Sequence, residues 1–489
     1  MTALKAGNLD QLGGDVTLPR YNRDDVSVGI FHFGVGGFHR AHQAMYLDEL
    51  MNDGKALEFG ICGVGVMPGD RRMQEVLKAQ EGLYTLVLKH PDGRWEARVI
   101  GSIVDYLYAP DDPETVIERL AAETTRIVSL TVTEGGYNFH HVTGEFNFDN
   151  PDVRHDLDAG ATPKTFFGLI IEALSRRREK GIEPFTIMSC DNIQANGDVA
   201  KESFVAFARR RDPELGNWIN EQVNFPNSMV DRITPVTTDE DREQIRARFG
   251  IEDGWPVVCE PFTQWVLEDH FNMGRPAYDE VGVQVVDDVM PYELMKLRLL
   301  NASHQALTYF GYLDGYRYAH EVCQDELYAD FLLNYMVEEG TPTLAPVPGV
   351  DLDDYRRTLI ERFANPEIRD TLARLCAESS DRIPKWLLPV IREQLERDGE
   401  IKRSAAVVAS WARYAEGVDE QGEPIEIVDR MKDELHDIAQ RNRDNPLAFI
   451  ENREVFGDLV DNERFVEAYT EALARLHRQG ARATVESVR

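Results

Sequence analysis

The run VSVGIFHF, residues 26–33, constrains the fold more than any other stretch. It is apolar and of strand length. It passes directly into Gly34-Val35-Gly36-Gly37-Phe38-His39-Arg40-Ala41-His42 and a helical pattern lasting to about residue 51. A strand that turns at glycine into a helix is the opening unit of a doubly wound α/β sheet built to hold a dinucleotide. Gly34 permits a tight turn. Gly36, with Gly37 and Phe38 beside it, permits a pyrophosphate to approach the backbone at the helix N-terminus. The third glycine of a GxGxxG fingerprint is missing, because His39 stands there. On these residues alone, an ordinary strand–helix turn is the alternative.

Further strands follow the same logic. Residues 58–66, EFGICGVGV, end in Met67-Pro68-Gly69-Asp70-Arg71. An acid just past the second strand is where such folds hold the adenosine ribose, and Asp70 stands there; Arg71 leaves room for the 2′-phosphate of NADP. An N-cap for the helix that follows is the alternative role of Asp70. Residues 126–133, RIVSLTVT, stop at Glu134, and residues 185–190, FTIMSC, stop at Asp191-Asn192. Gly34, Asp70, Glu134 and Asn192 therefore fall at strand ends, where ligands bind in open α/β sheets. Residues 83–105 alternate as an inserted hairpin, residues 1–25 read as an irregular lead-in, and Asp231-Arg232 lies between apolar residues as a candidate internal ion pair.

From residue 291 the pattern is almost wholly helical, and it opens on PYELMKLRLLNASH. At about 100° per residue, with Lys296 as zero, Glu293 falls near 60°, His304 near 80° and Asn301 near 140°. Leu297 and Leu300 share that arc, so a carboxylate, a lysine, an amide and an imidazole are set among leucines, which is costly unless they are used or paired. With 489 residues the chain is too long for one ordinary core. The expected fold is an α/β N-terminal Rossmann-type domain with inserted strands over residues 1–288, binding the dinucleotide, plus a mostly α-helical substrate and catalytic domain over residues 289–489.

The formal charge of −33 argues against nucleic acid or anionic membrane as partner. No apolar run approaches the roughly 18 residues of a membrane span, and the N-terminus lacks a signal-type apolar core, so a cytoplasmic protein is expected. Five dispersed cysteines without a CxxC pair read as reduced thiols, and no metal site is expected.

Lys296-x4-Asn301-x2-His304, together with GVGGFHRAH and NFPNSMVDRITP, resembles the polyol-specific long-chain dehydrogenase/reductase family, nearest its mannitol 2-dehydrogenase group; TEGGY, MSCDN and WPVVCEPFTQWVLED add to the likeness. The resemblance runs across essentially the whole chain. It implies a zinc-independent, NAD-dependent oxidation of a secondary alcohol, D-mannitol to D-fructose and back, by a monomer whose only partner is a small polyol or ketose. It assigns the general acid/base to Lys296 and the amides that hold the substrate oxygen to Asn192 and Asn301. Substrate positioning goes to His304 and Asp231, and the proton path to Glu293. Arg374 and Arg382 fall to substrate hydroxyls, although close relatives carry lysine where Arg382 stands. NAD selection falls to Asp70; Gly69 replaces a second acid there, which keeps NADP open. A sugar-acid reductase of the same family, acting on fructuronate, is the alternative, with the two arginines as carboxylate ligands. Tyr292-x3-Lys296 also matches the YxxxK of short-chain dehydrogenases, but that family is about half this length and carries a different glycine motif, so Tyr292 reads as a packing residue. A nucleotide-sensing protein without turnover would leave the lysine and amides idle. For the lysine to act as a base, its pKa has to come down from about 10.4 toward 7–8.

Overall fold

The computed structural model of the protein describes residues 1–139 and 145–489. The chain divides into two units, Met1–Val289 and Met290–Arg489. The first is built on five parallel strands: β1 (Val28–Phe33), β2 (Gly60–Gly65), β3 (Ile103–Tyr108), β4 (Ile127–Leu130) and β5 (Thr186–Ser189). Their spatial order is β3-β2-β1-β4-β5. The order reverses at β1, which makes this a Rossmann arrangement with its ligand crevice at the carboxyl end of that strand. A parallel strand covered on both faces must be apolar along its length. In β1, Phe31 and Phe33 enter one core with Phe166, Phe167 and Phe204, while Ile30 enters another with Ala44, Leu47 and Trp265.

Two helices follow β1. Helix α1 (Gly37–Ala41) and helix α2 (Gln43–Asn52) are separated by His42, whose φ of −126° and ψ of −91° break the helical ladder. Helix α3 (Asp70–Ala79) follows β2. The expected hairpin is present as Tyr84–Lys89 paired antiparallel with Trp95–Ile100. It extends into a four-stranded sheet with Val257–Cys259 on one side and Val16–Thr17 on the other. A third sheet joins Ser228–Asp231, Gln264–Glu268 and Gln284–Val286. The lead-in is less irregular than its sequence reads, since Thr2–Ala3 pairs with Ile251–Glu252 as well. Two-residue strands carry no periodicity, and their partners lie far along the chain.

The second unit is helical, and its first long segment is not one α-helix. Met290–Met295 is α-helical, Lys296–Asn301 is a π-turn, and Ala302–Asp314 is α-helical again. The carbonyl of Arg298 within the π-turn accepts from the Tyr335 hydroxyl at 3.0 Å. The Arg298 guanidinium donates to the Thr343 carbonyl and forks onto Glu393. A second π-turn, Met336–Gly340, packs against the first, and a Cβ at Gly340 would come within 2.9 Å of Leu299 Cδ2. The continuous α-helix expected from periodicity is thus corrected: apolar spacing does not register an i→i+5 bond, and the groups that stabilise this one come from distant sequence. Among the described residues no helix is long and apolar enough to cross a membrane.

Candidate active site

Gly34 leaves β1 with φ +88°, and a Cβ there would stand 2.0 Å from the Thr131 carbonyl oxygen, so only glycine fits. Gly36 differs. It is exposed, with φ −103°, and a Cβ on it would meet nothing nearer than the Gly34 oxygen at 3.8 Å. What Gly36 leaves is open space before the backbone, which suits a bulky anion. Gly37 precedes Phe38, whose half-buried ring lies 4.9 Å from that of His42.

His39 fills the place of the third glycine by stacking. Its buried ring lies on that of His32 in β1, centroids 3.4 Å apart and planes 11° apart. Hydrogen bonds dictate the tautomers. Thr131 Oγ1 donates to the Gly34 carbonyl, so His32 Nε2 must donate to Thr131, and His32 Nδ1 accepts from Ser129. His42 Nε2 donates to the Gln264 carbonyl, the Gln43 amide donates to His42 Nδ1, and Gln43 Oε1 accepts from His39 Nδ1. That leaves His39 Nε2 as a buried lone pair with no hydrogen-bond partner among the described residues. Burial brings His32 down to about 3 and holds His39 well below the ordinary histidine value, so both rings stay neutral. Arg40, fully buried, donates to the carbonyls of Gly36 and Trp255 and so ties down the turn.

Asp70 is the first residue of α3. Its Oδ2 accepts from the N–H groups of Val66 and Met67, both at 2.9 Å, and so shapes the loop leaving β2. Arg71 is turned to Asp111, with Nη2–Oδ1 at 2.5 Å and Nη1–Oδ2 at 3.3 Å. Beyond β4, Glu134 is exposed in a short 3-10 turn. The residue before it, Thr133, has φ +66° and ψ 167°, a region that side chains other than glycine rarely enter. Asp191 holds it there: its carboxylate accepts from the N–H groups of Val132 and Thr133 and from the Tyr137 hydroxyl. Asn192, next along the chain, is exposed at the end of β5. Asp231 is buried at the end of its strand. Its neighbour Arg232 donates to the carbonyls of Ala41 and Glu260, joining this segment to the end of α1.

In the second unit Glu293, Lys296 and Asn301 are all buried, at 5%, 7% and 4% exposure. In an α-helix Asn301 would point about 140° away from Lys296. The π-turn starts at Lys296 and ends at Asn301, and an i→i+5 ladder sets residues five apart nearly one above the other. His304 is half-buried with its ring 4.4 Å from that of Phe363. Arg374 forks onto the buried carboxylate of Asp370 at 2.6 and 2.5 Å. Arg382 donates to the carbonyls of Arg374 and Leu375 and lies over the Trp386 ring.

The chain matches the family profile of the mannitol dehydrogenase Rossmann domain over residues 28–280 and that of the mannitol dehydrogenase C-terminal domain over residues 288–477. The chain belongs to the mannitol dehydrogenase family. It is 47% identical to a mannitol 2-dehydrogenase of Phaeosphaeria nodorum, covering 99% of this chain and 85% of the relative. It is 46% identical to one of Aspergillus fumigatus, covering 99% and 98%. Among solved structures, it matches Pseudomonas fluorescens mannitol 2-dehydrogenase in ternary complex with NAD and D-mannitol, with a TM-score of 0.90, 46% identity and 99% of both chains covered. It also matches a substrate-free D-sorbitol dehydrogenase, with a TM-score of 0.92 and 36% identity over 99% of this chain and all of the other.

Sequence reasoning missed the roles of the residues that tie these loops and turns together: Arg40, Arg232, Asp191 and Asp111. Arg232 had a signal, an arginine inside an apolar segment, and it donates to the carbonyls of Ala41 and Glu260 and to Met45 Sδ. Asp191 is testable through the backbone it strains. Thr133→Gly should raise the unfolding free energy by about 1 kcal/mol, the strain relieved less the entropy that glycine adds. Urea unfolding reads it, and a less stable variant would mean that the Thr133 backbone is not strained.

Proposed function

We propose that the protein is an NAD-dependent, zinc-independent mannitol 2-dehydrogenase, a monomer that interconverts D-mannitol and D-fructose. The observation that carries the proposal is Lys296, buried at the start of a π-turn that ends in Asn301. The similarity to a chain solved with NAD and D-mannitol supports it.

NAD suits the first unit, assigned here to residues 1–288. Gly36 leaves room for a pyrophosphate, and Asp70 Oδ2 alone serves the loop, which leaves Oδ1 to accept from a ribose hydroxyl. Gly34, Gly37, Phe38, Arg71 and Glu134 complete the assigned rim. Bound there, the nicotinamide would supply the hydride acceptor. The chain's own residues do the rest. Lys296, on the unit assigned to residues 289–489, takes the proton from the hydroxyl being oxidised and returns it in reduction. Asn192 and Asn301 donate to the oxygen as it gains negative charge, and amides do so without titrating. Glu293 passes the proton on to solvent. His304 and Asp231 orient the substrate, and Arg374 and Arg382 meet its hydroxyls.

Fructuronate reduction is the competing reading, and the arginines weigh against it. Asp370 already neutralises Arg374, and Arg382 gives its Nη1 to two carbonyls, so the pair does not offer a carboxylate two unneutralised forks. The test offers D-fructose and D-fructuronate separately to EDTA-treated protein and follows NADH absorbance. NADH should be consumed with fructose. Consumption only with fructuronate would overturn the reading, and loss of activity with EDTA would overturn zinc independence.

A further inference from the structure

The loops that leave β2 and β3 meet at an ion pair. Arg71, second residue of α3, gives both Nη atoms to the two carboxylate oxygens of Asp111, at 2.5 and 3.3 Å. Asp111 lies three residues past Tyr108, the end of β3, and the Arg71 guanidinium lies 4.5 Å above the Tyr108 ring. These two loops flank the crevice at its adenosine side, with Asp70 on one of them. An arginine directly after the ribose-binding acid would ordinarily offer its flat fork to a 2′-phosphate, the group that separates NADP from NAD. Here the fork is occupied on its edge by a carboxylate and on its face by an aromatic ring. The neighbouring Arg72 is also held, over the Trp255 ring at 5.0 Å.

We propose that Asp111 is a specificity-determining residue for the dinucleotide: it latches Arg71 over Tyr108 and withholds that guanidinium from a 2′-phosphate. The proposal rests on the NAD reading above. The latch gives the site a means to discriminate although Gly69 supplies no second acid. The latch is an exposed pair, each side chain about half accessible, so it contributes little to folding and its removal leaves the fold in place.

The test is the ratio of the dissociation constants for NADPH and NADH, read by protein fluorescence in the unaltered chain, Asp111→Ala, Arg71→Ala and the double variant. Asp111→Ala should shift the ratio toward NADPH by about fivefold, the upper worth of an exposed ion pair that no longer competes for the guanidinium. In the Arg71→Ala background the same substitution should leave the ratio where Arg71→Ala alone puts it. An unmoved ratio in Asp111→Ala overturns the latch. So does an equal shift with Arg71 absent, because loss of one negative charge would then be the whole effect. If the unaltered chain binds neither dinucleotide, the NAD reading falls and the latch with it; if it binds NADH and the ratio stays fixed, only the latch falls.

Discussion

Lys296→Met should lower turnover of D-mannitol by about 10²–10⁴-fold, the range of a lost general acid/base, with the dissociation constant for NADH close to that of the parent. Methionine keeps the apolar length of the side chain and removes the amine, so packing in the π-turn is preserved while the proton acceptor is lost. Two readouts separate chemistry from structure. If the lysine serves only as a buried structural cation, its removal lowers the urea midpoint and leaves turnover per folded molecule unchanged. If it is the base, turnover per folded molecule falls, whatever the midpoint does. A Lys296→Met protein with near-normal turnover would end the assignment.

Gly34→Ala should have the larger effect on folding, and Gly36→Ala the larger effect on the cofactor. The methyl at Gly34 would lie 2.0 Å from Thr131 O and 2.7 Å from Thr131 C, and the backbone would remain at φ +88°. Thr131 cannot retreat, because its N–H bonds the Phe33 carbonyl and its hydroxyl bonds the Gly34 carbonyl. The carboxyl ends of β1 and β4 would be pushed apart, with an expected loss of about 4 kcal/mol in unfolding free energy, the upper range for a single substitution. At Gly36 the same methyl meets no protein atom closer than 3.8 Å. Gly36→Ala should therefore unfold at the parent's urea concentration and bind NADH at least about tenfold more weakly, the cost of a pyrophosphate kept from the backbone amides. Equal unfolding midpoints for Gly34→Ala and the parent would contradict the geometry. Parental NADH affinity in Gly36→Ala would remove the pyrophosphate from that turn.

Four of the five parallel strands were legible because each is an apolar run that ends in glycine or a polar group, whereas β3, with Asp105 inside it and Tyr108-Ala109 at its end, was not. The helical second unit was legible because its apolar spacing is sustained. The contents of the crevice were legible only in part. The glycine turn could be read from residues 34–37, but not the His32–His39 stack, which depends on two rings seven residues apart meeting between strand and helix. Nor could the partner of Arg71, since an aspartate forty residues on is one of many in a chain this acidic. Asn192 and Asp191 show the same limit at a single step. Both sit at the end of β5, yet one is exposed and the other is buried under three hydrogen bonds that strain Thr133. On the second unit the residues that share a face depend on the local helix type, and the angle computed for Asn301 fails where the ladder changes from i→i+4 to i→i+5.

The π-turn also sets stability and activity against each other. It holds one residue more than an α-helical ladder needs, so deleting a single residue between Lys296 and Asn301 would let the flanking helices close into one regular helix without changing the faces that they present. Selection for heat resistance alone would favour that deletion, because it replaces the i→i+5 bonds of the turn with ordinary helical ones. Its product would be a sturdier protein with its lysine and amide spaced for a different geometry. Persistence of the extra residue is therefore a sign of use, and variants of this chain with shortened spacing are where a fold retained without its chemistry should be sought.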